Sequence, residues 1–297
     1  MKILSRLYED AISVLVNKPW EDYFLLAGLS DRWIPCMVIS LLKDVKRNEI
    51  QAKRHAVFTS LEEKGILSEP IGFNAYTPSD CDSTAWLAHC CLSMGISPDQ
   101  KILDFIESHR VKAYSYSTYN IEGNIASYIG QPTSAMKGWF DSHDCVSANI
   151  MGLYPDQIPL FISGRRFKPY WWASAFVPLS FCDDLVADLV FKKQYVPIIS
   201  CARNQNLQRA HLLDRILEHI FRLRYCTGVD ICDFPEIVKL DQLGCLLQLP
   251  PPQLSTNRLD QYDEWKYDGF KQQARVYDIN SILTSAILVR LLDSIID

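Results

Sequence analysis

Apolar residues recur along most of the chain at helical spacing. Between Leu207 and Arg224, Leu213, Ile216, Leu217 and Ile220 fall at i, i+3, i+4 and i+7, while Asp214, Arg215, Glu218 and Arg222 cover the other side. One face suits a core and the opposite face suits water. The stretches Trp33 to Leu42, Ser83 to Met94, Val146 to Tyr154, Tyr170 to Leu179 and Ile282 to Leu292 are apolar or small almost all the way round. That is the pattern of a helix covered on every side. Polar amphipathic stretches separate them, at Lys43 to Lys64, Asp99 to His109, Gly123 to Phe140, Asp183 to Ile198 and Leu207 to Arg224.

Covered and half-exposed helices thus alternate with a period of roughly 50 residues, the grammar of helical hairpins closed into a ring. Strand signals are short and isolated. The fold class expected is all-α: a single α/α toroid of about ten to twelve helices, with inner and outer rings, spanning residues 1–297 as one domain. An open-ended array of helical repeats shares the periodicity and stays as the alternative. Trp33, Trp86 and Trp139 are 53 residues apart, but Trp86 lies inside a covered stretch while the others precede or open one, so this spacing is partly coincidence. The longest irregular segments, Tyr225 to Glu236 and the proline-rich Leu249 to Lys266, read as loops between hairpins, since no core-sized unit follows them.

With 48% hydrophobic and 22% charged residues in a chain of 297, a disordered or collagenous protein is excluded. A formal charge of −5 and dispersed Lys and Arg leave no footprint for nucleic acid or an anionic membrane surface, and neither partner is expected. The apolar C-terminus, Ile279 to Ile296, is broken by Asn280, Arg290 and Asp293, so no transmembrane segment is expected. The N-terminus carries Glu9 and Asp10 and no small-residue cleavage site, unlike a signal peptide. Ten cysteines lie mostly in apolar, helix-like stretches without paired CxxC spacing. They read as buried thiols of a reducing, cytoplasmic protein, with no metal and no cofactor.

One motif stands out chemically: Pro78-Ser79-Asp80-Cys81-Asp82-Ser83-Thr84-Ala85-Trp86, at the entry to a covered helix. Ordinary capping accounts for both acids, Asp80 accepting from backbone N–H groups and Asp82 complementing the helix dipole. In a ring, however, the start of an inner helix opens onto the central cavity.

Asp80, Asp82, Ser83 and Thr84, followed by AWLAHCCLSMG, resemble the DxD(D/S/T)T signature of the squalene-hopene cyclase and class II terpene cyclase superfamily. Its catalytic α/α barrel is shared with protein prenyltransferase β subunits. SDRWIPCMVISLL, SHDCVSANIMGLY and RRFKPYWWASAFVPLS look like the first, third and fourth inner helices of standalone members, and EWKYDGFKQQARVYDINSILTSAILVRLL like the closing loop and last inner helix. The resemblance implies proton-initiated cyclisation of a hydrophobic isoprenoid or polyene, with Asp82 as the acid and Asp80 and Thr84 orienting it. Burial and the neighbouring carboxylate would raise the acid's pKa while the helix N-terminus opposes this. Trp86, Tyr170, Trp171 and Trp172 would line the path and stabilise carbocations, although core packing explains them equally. His143 would sit at the same end of the ring as Asp82.

Two departures from the family pattern matter. Ser83 stands where many cyclases carry a third Asp, and the chain has no room for the second barrel that encloses the cavity of the large enzymes. Water exclusion would then fall to the two long loops, with Trp265 of the second packing as a lid, to the substrate itself, or to a second protein that closes the barrel. The prenyltransferase branch holds zinc with an Asp and a Cys two residues apart plus a distant His; positions 80 and 82 are both Asp, and His89 reads as a packed histidine. Arg165, Arg166 and Lys168 could grip an anionic head group or be plain surface charge, and Asp183-Asp184 lacks the remainder of a DDxxD motif. The functional expectation is a small class II terpene or polyene cyclase or isomerase of specialised metabolism. The alternative is a noncatalytic barrel that holds a hydrophobic ligand or a protein partner.

Overall fold

The computed structural model describes residues 2–24, 28–120, 142, 144–154, 176–182, 184, 187–188, 191–192, 212–226, 239–240, 243, 246–248 and 275–296. Its helices are α1 (Lys2–Asn17), α2 (Trp33–Leu41), α3 (Asn48–Glu63), α4 (Cys81–Ser93), α5 (Gln100–Ser108), α6 (Asp144–Met151), α7 (Phe176–Leu179), α8 (Leu212–Tyr225) and α9 (Ile282–Ile296). Three antiparallel pairs of short strands accompany them among the described residues: β1 (Asp22–Phe24) with β2 (Gly28–Ser30), β3 (Arg110–Lys112) with β4 (Ser115–Tyr116), and β5 (Leu246–Gln248) with β6 (Arg275–Tyr277).

The helices build the all-α toroid that the pattern predicts. Helices α2, α4, α6 and α9 bury nearly every side chain, because apolar or small residues occupy all their faces. In contrast, α3 buries only Ile50, Arg54, Phe58 and Leu61, and α8 turns Leu213, Ile216, Leu217, Ile220 and Phe221 inward. Inner neighbours pack in the order α9, α2, α4, α6, and α1 lies against α9, so the last helix seals the ring against the first two. The hydroxyl of Tyr8 on α1 donates to Asp293 of α9 at 2.5 Å. Among the described residues no helix is long and apolar enough to cross a membrane.

Helix α1 was not among the stretches that the sequence pattern singled out. It nevertheless has an amphipathic period, burying Leu4, Leu7, Tyr8, Ala11, Ile12 and Leu15. Helix α4 starts at Cys81, ahead of the expected Ser83, because Asp80 caps it. The cysteines behave as expected where described: Cys36, Cys81, Cys90, Cys91, Cys145 and Cys182 are buried free thiols.

The inner helices run side by side with their N-termini at one end, as their anchoring contacts show. Ser30 Oγ accepts from the Ile34 amide of α2 and donates to the carbonyl of Phe73, just ahead of α4. Ser147 Oγ of α6 accepts from the Tyr116 amide, and the Cys81 amide of α4 donates to the neighbouring Thr118 carbonyl. At the other end, the buried Arg54 of α3 donates to the carbonyls of Ile39 in α2 and Ser93 in α4, at 2.9 and 3.1 Å. One guanidinium thereby satisfies carbonyls near the ends of two inner helices that would otherwise lack partners. The motif thus opens an inner helix at the end where the other inner helices also begin.

Candidate active site

The site is built around the first turn of α4. Asp80 is its N-cap: Oδ1 accepts from the Ser83 amide at 2.8 Å and Oδ2 from the Ser83 hydroxyl at 2.7 Å. The loop ahead of it is fixed by backbone and side-chain bonds. The Asp80 amide donates to the Ile71 carbonyl, and Ser79 Oγ donates to the Pro70 carbonyl. Gly72 packs so tightly there that a Cβ would fall 2.3 Å from the Pro78 carbonyl oxygen. Only a residue without a side chain fits that approach.

Asp82 lies one helical step further, 9% exposed, and faces α6. Asn149 Nδ2 of α6 donates to its Oδ1 at 3.2 Å and approaches its main-chain oxygen at 3.4 Å. Among the described residues, Oδ2 of Asp82 receives no hydrogen bond. Asn149 is itself 7% exposed, and its Oδ1 is a buried acceptor with no donor. Cys145, four residues before Asn149, also stands near the acid: burial first, then the charges of Asp82 and Asp144, hold its thiol well above the ordinary range.

Electrostatics separate this pair of carboxyls from ordinary surface acids. Burial drives both upward, Asp80 to about 7 and Asp82 to about 6. The Ser83 bonds and the Asp82 charge then act on Asp80 in opposite directions, and the Asn149 bond moderates the rise of Asp82. Two carboxyls this close titrate as a unit. An amide only donates, and each carboxyl accepts from one: Asp80 Oδ1 from the Ser83 main chain and Asp82 Oδ1 from the Asn149 side chain. The arrangement is a pair of buried carboxyls at an inner helix start, both with raised proton affinity.

Solved structures share this architecture. A protein from Actinoplanes is similar with a TM-score of 0.71 and 18% identity, over 99% of this chain and 100% of its own. A variant of the type II terpene cyclase MstE from Scytonema, in complex with its product merosterolic acid A, matches with a TM-score of 0.68 and 17% identity, over 99% of this chain and 97% of that one. Another MstE variant, in complex with its substrate geranylgeranyl dihydroxybenzoate, has a TM-score of 0.67 at 17% identity, over 98% and 97%. The chain has a class II terpene cyclase-like fold. No family profile and no characterised protein matches it by sequence.

On this cyclase-like fold the residues singled out from the sequence separate into groups. Asp80, Asp82, Thr84 and Trp86 lie together on α4. Thr84 does not touch Asp82: its hydroxyl donates to the Ile71 carbonyl at 3.1 Å and accepts from the Ile71 amide at 3.2 Å, tying the preceding loop to the helix. Trp86 is buried, with Phe181 edge-on to its ring at 5.6 Å and His89 at 5.5 Å. Cys81 directs its thiol to the Ile106 carbonyl of α5. Asp184 is bound by Arg224 and Tyr225. His143, Arg165, Arg166, Lys168, Tyr170, Trp171, Trp172, Asp183 and Trp265 lie outside the described residues, as do the loop residues 227–236 and 249–266.

Asn149 was missed. The available signal was an amide in the middle of a small-apolar inner helix, where a buried polar group needs a specific partner.

Proposed function

We propose that the protein is a class II cyclase or isomerase that protonates a carbon–carbon double bond of an isoprenoid or related polyene, with Asp82 as the general acid. The observation that carries this reading is the Asp80–Asp82 pair: two buried carboxyls at an inner helix start, one engaged twice by Ser83 and the other with an oxygen that no described residue engages. In the reaction the π electrons of the substrate take the proton from Oδ2 of Asp82. The Asn149 amide then stabilises the carboxylate that remains. The resulting cation is attacked by the next double bond of the chain, and a ring forms. Loss of a proton elsewhere ends the sequence, so the product is an isomer of the substrate.

The substrates and products named for MstE support an isoprenoid ligand, and the matching α/α ring supports a cavity of suitable shape. Thr84 contributes by bracing the loop that carries Asp80, so its part in orienting the acid is indirect. A ring of this size needs cover against water. By its motif position Trp265 is the residue proposed for that cover, and Tyr170, Trp171, Trp172 and Trp86 are the aromatics proposed to meet the cation.

The test is a comparison of the parent with Asp82→Asn, a nearly isosteric change. Both are incubated with a polyprenyl panel headed by geranylgeranyl dihydroxybenzoate and with cell extracts, and consumption is followed by untargeted mass spectrometry. The proposal expects turnover by the parent and none by the variant, with ligand retention alike. If neither consumes anything and both retain the same lipid, the barrel is a noncatalytic ligand holder.

A further inference from the structure

Asp82, Trp86 and His89 fall at i, i+4 and i+7 of α4, within an arc of about 60° of its circumference. The imidazole therefore stands about 10 Å below the acid on the same stripe of the helix, with the indole of Trp86 between them. Its Nε2 lies 2.8 Å from the carbonyl oxygen of Asn149, the residue whose side chain holds Asp82. A carbonyl only accepts, so Nε2 carries the hydrogen and Nδ1 is the basic nitrogen. Among the described residues Nδ1 has no partner, and the ring stays partly exposed. Gly152, just past α6, backs the ring so closely that a Cβ would lie 2.9 Å from Cε1. The tautomer, orientation and depth of His89 are thus all fixed, and nothing in the capping or packing of α4 uses its free nitrogen.

We propose that His89 is the base that ends the reaction, taking a proton from the carbon next to the final carbocation. This rests on the cyclase reading of Asp82. The C–H bond pair becomes the new double bond, Nδ1 gains the proton, and the imidazolium keeps its Nε2–H on the Asn149 carbonyl. Water then removes the Nδ1 proton and returns one to Asp82, so the reaction is a net isomerisation. Between the two ends the charge passes the indole of Trp86, whose face favours a cation. Asn149 joins acid and base, through its amide at one and its main-chain carbonyl at the other.

The protonation order agrees with these roles. Burial first, then the charges of Lys43 and Arg290, lower the imidazole to about 4, against the Asn149 carbonyl bond that raises it. The acid pair, at about 7 and about 6, therefore binds a proton more tightly than the imidazole does. Unperturbed groups would have the reverse order. A carbocation is acidic enough to protonate even so weak a base.

Two measurements test the proposal. In the first, the parent, His89→Gln, Gly152→Ala and Asp82→Asn are incubated with geranylgeranyl dihydroxybenzoate, and products are identified by mass spectrometry and NMR. His89→Gln is expected to slow consumption by less than tenfold while diverting more than half of the product to alcohols formed by water capture or to shifted alkenes. Gly152→Ala, which pushes the ring aside, should divert a smaller fraction, and Asp82→Asn should consume nothing. An unchanged product ratio in both the His89→Gln and Gly152→Ala variants overturns the role of His89 and leaves that of Asp82 standing. A parent that consumes nothing overturns the cyclase reading and this proposal with it. The second measurement needs no substrate: nitrogen-15 NMR of the histidines should find His89 as the Nε2–H tautomer, neutral down to pH 5. A proton on Nδ1, or a midpoint at or above the ordinary histidine value, overturns the assignment.

Discussion

Two inner helices of the ring begin among buried acids, and the two starts satisfy those acids differently. At α9, Asp22 accepts from the amides of Asn280 and Ile282 at 2.8 and 3.0 Å. Asp278 beside it accepts from the amide and hydroxyl of Thr284 at 2.8 and 2.9 Å. All four carboxylate oxygens have donors, and the charge is spread over the helix start. At α4, Asp80 is saturated in the same manner by Ser83, but among the described residues Asp82 has one donor, on Oδ1, and none on Oδ2. A buried carboxylate with every oxygen filled is a structural cap. At α4 burial lifts Asp80 to about 7 despite its filled oxygens and Asp82 to about 6, so desolvation outweighs the donors at both. The difference lies in donor count rather than in residue type.

The largest effect that separates the two ends is expected from Asp82→Asn, which should lower turnover of a polyprenyl substrate by roughly 10³-fold or more. The same change should stabilise the fold at pH 8. A carboxyl whose folded pKa lies above its unfolded value contributes stability below the unfolded value and loses it as pH rises through the folded one. For Asp82, lifted from 3.8 to about 6, the parent should lose about 2 kcal/mol between pH 4 and pH 7 that the asparagine variant keeps. Chemical denaturation at pH 4 and pH 8 measures the difference.

Next in size, Asp22→Ala leaves two buried amides of α9 unpaired and should destabilise by about 2–4 kcal/mol, seen as a lowered midpoint in urea. Turnover per folded molecule should be retained. A loss of turnover matching that of Asp82→Asn would erase the distinction between the two ends.

Asn149→Ala removes the one donor to the Asp82 carboxylate among the described residues, and kcat should fall by about 10- to 100-fold. That hydrogen bond lowers the Asp82 pKa, so without it the alkaline limb of the pH–rate profile should move upward. In the parent the rate should decline above pH 6 to 7, where the pair loses its protons. The smallest effect is expected from Thr84→Val: about 1–2 kcal/mol of stability from unpairing the Ile71 amide and carbonyl, with a rate change under threefold. A larger rate effect would return Thr84 to the acid's immediate surroundings.

How much of this was legible in the sequence follows from what each part depends on. The ring came through because Trp33 to Leu42 and Ile282 to Leu292 are covered on every side while Leu213, Ile216, Leu217 and Ile220 form a single stripe, and periodicity reports burial directly. The acid pair was visible as two Asp residues at a covered helix start. Its tuning was not, because Asn149 approaches from a helix 67 residues away in sequence and contact between neighbouring inner helices leaves no local spacing. The contest between burial and the helix N-terminus over the Asp82 pKa could not be decided from residue types alone; desolvation is the larger influence. Nor was the α9 counterpart legible, since Asp22 reaches Ile282 across 260 residues. Thr84 was assigned a place beside the acid by its motif position, but its hydroxyl fits the loop backbone better.

The most direct test of the central claim, that Asp82 supplies the initiating proton, is turnover in deuterium oxide. The parent and Asp82→Asn are incubated with geranylgeranyl dihydroxybenzoate in deuterated buffer, and the product is analysed by mass spectrometry and deuterium NMR. The account predicts a cyclised isomer from the parent with a single deuterium at the carbon that was protonated, and no product from the variant. A cyclised product without deuterium, or equal turnover by Asp82→Asn, would contradict it.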